Sequence, residues 1–271
     1  MKTKTFLTGI VLGLAATLQL SATLIQVTVD NLAPANPTGV YFSPVWFGFH
    51  DGTYDLFDPN TAASSNIEML AELGNSAPIN TSLMSAQPGA TSYVVTDPMS
   101  PAPTGQFAPG HSATFTLDLD AFANRYLSFG LMVVPSNDTF MANAEPLAMT
   151  LFDAGGNFLG PQSWTFSGAQ AWDAGTETNG FLGAAFIVGS DPLLSPAEGG
   201  MIHTQPLTGL DEFVGSMTPV NTTLGQALTA EPLLRISVAS AAVPEPGTYG
   251  LMAAAGLMGL VIIRRIRRQA V

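Results

Sequence analysis

The stretch Ser128-Phe-Gly-Leu-Met-Val-Val-Pro-Ser-Asn-Asp-Thr-Phe140 decides the fold class. Leu127, Phe129, Leu131 and Val133 alternate with Ser128 and Gly130, the period of two that marks a half-buried strand. Met132 and Val134 make its end apolar on both sides, as in a strand entering a central core. Pro135 cannot donate to a ladder, so the strand stops or reaches an edge there. Ser136, Asn137 and Asp138 then form a turn that leaves the Asp138 carboxylate at a strand end. A rigid strand that delivers a carboxylate into a loop is how a sandwich places a metal ligand or a contact residue. The competing reading is that Asp138 only caps its own turn.

Outward from this stretch the same alternation recurs. Ile25, Val27 and Val29 alternate with Gln26, Thr28 and Asp30. Ala113, Phe115, Leu117 and Leu119 alternate with Thr114, Thr116, Asp118 and Asp120. Further strands are expected over Leu147, Met149 and Leu151, over residues 158–166 after the tight turn Asp153-Ala-Gly-Gly-Asn157, and over Leu234, Ile236 and Val238. Residues 41–49 are aromatic and buried in this reading. Ser65-Asn-Ile-Glu68 reads as a capping box, with Ile67, Leu70 and Ala71 on one face and Gly74 as the stop, which predicts one short helix. Residues 75–110 are rich in Pro, Ser, Thr and Gly and read as loop, with one strand near residues 92–96. Seven or more strands separated by turns give an all-β, antiparallel sandwich.

Bulk composition agrees. A chain of 271 residues, 46% hydrophobic, with 27 Gly and 20 Pro, suits one large β domain or two small ones with many turns. The absence of cysteine excludes a disulfide framework, a thiol nucleophile and a thiolate metal site. Six of the eight basic residues sit at the chain ends: Lys2, Lys4, Arg264, Arg265, Arg267 and Arg268. Between them only Arg125 and Arg235 face twenty acids, a net −18. Such a body repels nucleic acid and anionic lipid and suits cations or basic partners. Asp51, Asp55 and Asp58 cluster early but lack the spacing of an EF-hand loop and read as a solvated turn.

Both ends carry targeting chemistry. Residues 1–22 combine two lysines, an apolar run over 6–16 and the small pair Ser21-Ala22, the build of a secretory signal peptide. At the other end, Val243-Pro-Glu-Pro-Gly247 is stiff and incompatible with a helix. An uncharged apolar run follows over residues 249–263 and meets Arg264-Arg265-Ile266-Arg267-Arg268 at once. Fifteen residues at about 1.5 Å each reach roughly 22 Å, a short span that snorkelling arginines hold as a transient inner-membrane anchor helix.

This tripartite tail resembles the PEP-CTERM sorting signal of Gram-negative bacteria, with its motif at Pro244, Glu245 and Pro246 and its basic cluster at Arg264, Arg265, Arg267 and Arg268. The resemblance implies export, recognition by an exosortase-type sorting enzyme, removal of residues 243–271 and release to the cell surface or extracellular matrix. The body, residues 23–242, resembles the bacterial branch of the spondin domain family. The matching residues are Val27-Thr-Val-Asp-Asn31, Ala71-Glu-Leu-Gly-Asn75, the 128–140 stretch, Asp173-Ala-Gly-Thr-Glu-Thr-Asn179, Glu198-Gly199 and Leu234-Arg-Ile-Ser-Val238. That family implies a C2-like sandwich with a bound Ca2+ ion and roles in adhesion or matrix contacts. Carried over by position, the calcium ligands come from Asp138, the Val134 carbonyl and one of Asp173 or Glu177. Animal members have disulfides, which this chain lacks.

The function expected is thus a non-enzymatic, calcium-stabilised surface or matrix module, whose further partners are an extracellular polysaccharide or a surface protein. A secreted polysaccharide-binding protein or glycoside hydrolase is the alternative. Gly-x-Ser-x-Gly, His-Glu-x-x-His and phosphate-loop motifs are absent from the sequence, and His50, His111 and His203 stand alone in it. An acidic pair can cut glycosides, and Asp138 with Asp173 or Glu177 is the candidate pair. Trp46, Trp164 and Trp172 are the candidate stacking platforms for sugar, against the commoner role of tryptophan in a sandwich core.

Overall fold

Alternating apolar residues find their partners across two antiparallel sheets in the computed structural model, which describes residues 22–241. The signal segment, the anchor helix and the sorting residues Pro244, Glu245, Pro246, Arg264, Arg265, Arg267 and Arg268 lie outside the described residues. The elements run β1 (Thr23–Asn31), β2 (Tyr41–Phe42), β3 (Val45–His50), α1 (Ser65–Leu73), α2 (Ala77–Ala86), β4 (Thr91–Val95), β5 (Ser112–Leu119) and β6 (Tyr126–Val134). They continue with β7 (Thr139–Ala142), β8 (Gln162–Ser167), β9 (Trp172–Asp173), β10 (His203–Thr204) and β11 (Pro232–Ser240). One sheet has the order β5-β1-β11-β8. The other has the order β10-β9-β7-β6-β3-β4, with β2 also paired to β6.

The inward faces of the two sheets share one core. Ile25, Val27 and Val29 of β1, Phe115 of β5 and Leu234, Ile236 and Val238 of β11 meet Phe47 and Phe49 of β3 and Leu127, Phe129, Leu131 and Val133 of β6. This is the expected sandwich. A second apolar cluster lies on the other face of the larger sheet, where Trp46 and Phe140 meet Ile67, Leu70, Ile79 and Leu83 of the two helices. Gly130 of β6 shows how close this layer comes, because a Cβ there would lie 2.9 Å from Leu70 Cδ2.

Three local expectations change. Residues 77–86 are a second helix rather than loop, with Pro78 tolerated in its first turn and Ile79 and Leu83 buried. The cap of α1 is Ser64, one residue earlier than read, and its hydroxyl accepts from the Ile67 N–H at 3.4 Å; Gly74 ends the helix at φ 63° as expected. The segment around Leu147, Met149 and Leu151 forms only isolated bridges, Thr150 with Tyr126 and Phe152 with Phe158, and Leu147 is exposed. The second helix is a case of tertiary contact overriding local pattern, whereas the shifted cap is a local hydrogen bond.

Chain ends and loops sort to opposite ends of the sandwich. β1 starts where β11 finishes, with Ile25 opposite Ser240 and the Ala241 N–H donating to the Leu24 carbonyl at 2.8 Å. At its other end β1 stops at Asn31, whose Nδ2 donates to the carbonyls of Val40 at 3.0 Å and Phe107 at 3.1 Å. Its Oδ1 accepts from the Ala33 N–H at 2.9 Å, so one buried side chain joins three segments. Phe42 pairs there with Phe107 and with Val133 of β6, so the turn that carries Asp138 lies at this far end.

Replacing Asn31 by alanine leaves these buried groups unpaired, at about 1–3 kcal/mol each before relaxation. The expected net loss is about 2–4 kcal/mol, a fall in Tm of roughly 4–16 °C for a domain of this size. Calorimetry on Asn31→Ala checks this, and Asn31→Asp is expected to be worse because a carboxylate cannot donate to either carbonyl.

Candidate functional site

β6 ends at Val134 because the next residue is proline, and the chain turns to return as β7. Ser136 makes this turn, its hydroxyl accepting from the Thr139 N–H at 3.2 Å and donating to the Val133 carbonyl at 2.5 Å. The Asp138 carboxylate is therefore not spent on its own turn. Its Oδ2 accepts from the Thr176 N–H at 2.8 Å, the Thr176 hydroxyl at 3.1 Å and the Glu177 N–H at 3.1 Å, which locks a distant loop to the strand end. Asp138 is fully buried, and its Oδ1 has no hydrogen-bond partner.

The distant loop begins in β9. Asp173 sits opposite Thr139 in the ladder, which brings it beside Asp138. Its Oδ1 accepts from the Gly175 N–H at 2.8 Å and its Oδ2 from Asn179 Nδ2 at 3.0 Å. Gly175 has φ +67°, and a Cβ there would lie 2.7 Å from the Met201 backbone, so the turn needs glycine. Asn137 holds the loop further on, accepting from the Gly180 N–H at 3.0 Å and donating to Ser195 Oγ at 2.8 Å.

The predicted acids thus meet, but as two pairs. Asp138 faces Asp173; burial and that neighbouring charge push the Asp138 carboxyl up to about 6. Glu177 is also buried, with Oε2 unpartnered, and burial, then Glu72 of α1, push it up to about 7. Burial also raises Glu72, which Glu68 reinforces. The Val134 carbonyl belongs to the last register pair of β6, opposite Tyr41 of β2. Glu72 and Asn179, whose buried Oδ1 is unpartnered, escaped the sequence reading. Glu72 looks like any polar position of an amphipathic helix, and no spacing links it to residue 177.

Among the described residues no basic side chain relieves this crowd. Of the two basic residues in the body, Arg235 pairs with Asp30 at 2.9 Å, and Arg125 donates to the Phe152 carbonyl and lies over the Tyr126 ring. Among the described residues no three His, Asp or Glu side chains group closely enough to hold a metal ion by themselves. Among the buried oxygens that lack donors, Asp138 Oδ1, Asn179 Oδ1 and Glu177 Oε2 belong to this strand end and its loop, and oxygen donors are the kind that suit a hard cation such as calcium.

The other marked residues have structural places. Asp51, Asp55 and Asp58 are exposed, and Asp51 caps its own turn through the Thr53 N–H at 2.9 Å. Trp46 is fully buried, and Trp164 and Trp172 are half-buried against the cores, so none is a free stacking platform. His50 is buried, accepting from the Gly52 N–H through Nδ1 and bonding Ser128 through Nε2, and burial lowers it to about 4. His203 is exposed. His111 is not alone: Asp97, far back in its loop, bonds its Nδ1.

Comparison with known proteins places the tail. Residues 242–268 match the PEP-CTERM protein-sorting motif, beginning one residue before the boundary read from the sequence. The chain carries the signal of an exported, membrane-anchored precursor that an exosortase-type enzyme recognises and processes for the cell surface. No curated protein matches the chain. Among the described residues, no helix is long and apolar enough to cross a membrane.

The raised carboxyls fix the sign of one pH effect. Glu177 in the folded chain holds its proton to about pH 7, whereas the unfolded chain releases it near 4.5. The native state therefore binds more protons across that window, and its stability falls as pH rises through it. In chelator, Glu177→Gln is expected to gain Tm over wild type as pH goes from about 4.5 to above 7, and to lose that advantage below about 4.5. Thermal scans of both proteins across this range test it, and the subtraction cancels the opposite contribution of His50.

Proposed function

We propose that this protein is a non-enzymatic module of the cell surface or extracellular matrix, spondin-like in its body and stabilised by calcium. The tail match at residues 242–268 carries the reading, because it fixes the route by which the β-sandwich leaves the cell. The resemblance of the body to spondin domains, with its C2-like sandwich, agrees with the two-sheet architecture. Its lack of cysteine means that hydrogen-bonded staples such as Asn31 and Asp138 hold the long loops that disulfides hold in the animal members. Full burial of Asp138, which leaves no path to a glycosidic bond, supports a binding role over glycoside hydrolysis. Intact mass of the secreted protein is expected to show loss of both the 1–22 segment and the tail; finding Arg264, Arg265, Arg267 and Arg268 on extracellular material overturns the sorting route.

Calcium enters through the unpartnered oxygens. Asp138 and Asp173 would hold the ion with Asn179, while Glu177 lies on the flank beside Glu72. The ion supplies the positive charge that no side chain brings to these carboxylates. A ligand bound only by the native state at a hundred times its Kd adds about 2.7 kcal/mol, or roughly 5–11 °C in Tm. Extracellular sites bind at about 10⁻⁴–10⁻³ M, so millimolar calcium gives part of that shift. Asp138→Asn is expected to remove most of it, and Asp55→Asn in the exposed turn to leave it intact. A calcium titration that moves Tm no further than sodium chloride refutes the site.

A further inference from the structure

The excursion from β4 to β5 closes on a second buried carboxylate. Asp97 Oδ1 accepts from the Met99 N–H at 2.8 Å, and its Oδ2 accepts from the Ala108 N–H at 3.3 Å and meets His111 Nδ1 at 2.6 Å. A carboxylate only accepts hydrogen bonds, so Nδ1 of His111 is the donor, and Nε2 is the nitrogen left free of Asp97. His111 is itself 29% exposed in its side chain, while that of Asp97 is fully buried. The pair is a buried anion orienting a reachable imidazole, the arrangement that fixes both the tautomer and the aim of the free nitrogen.

The free edge of that imidazole belongs to a cleft of about 320 Å³ shared with Tyr41, Thr222, Met99, Pro101 and Pro109. One wall is hydrogen-bonding. Tyr41 Oη bonds Thr222 Oγ1 at 2.9 Å, and Thr222 Oγ1 bonds Thr218 Oγ1 at 2.7 Å, a chain of hydroxyls able to donate or accept. The rest of the lining includes the C–H surface of two prolines and Met99. No lysine or arginine lines the cleft. The Asp97 carboxylate behind it is already spent on three donors.

We propose that this cleft is a subsite for one neutral pyranose unit of an extracellular polysaccharide. A pyranose presents hydroxyls around its edge and C–H groups on its faces, which matches one hydrogen-bonding wall and apolar C–H lining. The volume is at the small end for ligand sites and suits a single ring. With no lysine or arginine in the lining, a uronate or sulfated unit would bring an anion without a fixed cationic partner into a strongly acidic domain. The cleft also lies at the far end of the sandwich, next to Asn31, whose N–H donates to the His111 carbonyl at 2.9 Å. It therefore opens away from the end at which the chain continues into the sorting tail. The inference deepens the reading of a matrix module, and its tests are independent of tail processing and of calcium.

The chain has three histidines, so an imidazole ¹H–¹⁵N spectrum of the full chain in mild detergent resolves them. Maltotetraose, cellotetraose and mannotetraose are the probes, with tetragalacturonate as the anionic control. At least one neutral probe is expected to shift the His111 Nε2 resonance saturably below roughly 10 mM, leaving His50 and His203 unmoved. Met99→Glu, at a position 68% exposed, is expected to weaken binding at least about fivefold with Tm unchanged; Thr222→Val, which also takes a partner from Tyr41 and Thr218, is expected to weaken it as much with a lowered Tm. No saturable shift with any neutral probe, a shift that Met99→Glu leaves untouched, or tighter binding of tetragalacturonate overturns the proposal.

Discussion

Burying β6 on both faces requires two covers, and the chain supplies one of each kind. The small sheet covers one face through Phe129, Leu131 and Val133, and the helices cover the other through Leu70 and its neighbours. A helix can lie so close to a sheet only where side chains are missing. Gly130 and Gly48 provide that space: a Cβ on Gly48 would lie 2.4 Å from the Trp46 ring and 2.9 Å from Leu83. The polar face that alternation suggested is in fact buried, and Ser128 survives there because its hydroxyl meets His50 and Asn143. Small residues in a strand were thus space for a third layer rather than a solvent face.

The same burial sets the electrostatics at the strand end. A strand buried on both faces delivers Asp138 to a fully buried position beside Asp173. Removing the Asp138 carboxylate from water disfavours its charged form, and the neighbouring charge of Asp173 adds to this. Three donors from the 176–177 backbone and hydroxyl offset part of this at one oxygen only. The remaining unpartnered oxygens, at Asp138, Asn179 and Glu177, mark where the fold stores an unmet demand for positive charge. In a body with two basic residues, both engaged elsewhere, no side chain can meet it.

What could be read in advance follows from the range of each interaction. The strands β1, β5 and β11 write their burial into a two-residue period, and each formed where it was expected. The turn at Asp153 and the Gly74 stop are equally local. The second helix was hidden because its core contacts, Ile79 and Leu83, sit one turn apart among Pro, Asn, Thr and Ser, a composition that also describes loops. Asp138 was visible as a strand-end acid, and its meeting with residues 173–177 came from family resemblance rather than from any pattern. Glu72, Asn179 and the Asp97–His111 pair depend on how separate excursions fold against one another, and nothing in local sequence encodes that.

The two ends of the sandwich therefore have different work. β1 and β11 lie side by side at one end, and their nine residues at about 3.3 Å each carry the ladder roughly 30 Å to the other. The tethered end has no loop of buried acids, while the far end gathers Asp138, Asp173, Glu177, Glu72 and the 97–111 cleft. Arginines beyond residue 263 favour the anionic cytoplasmic leaflet, whereas a body at −17, with Glu245 counted in the tail, is repelled by anionic headgroups. Residue 241, from which the chain runs on to the sorting motif, and the turn that buries Asp138 are thus kept apart by the length of a strand.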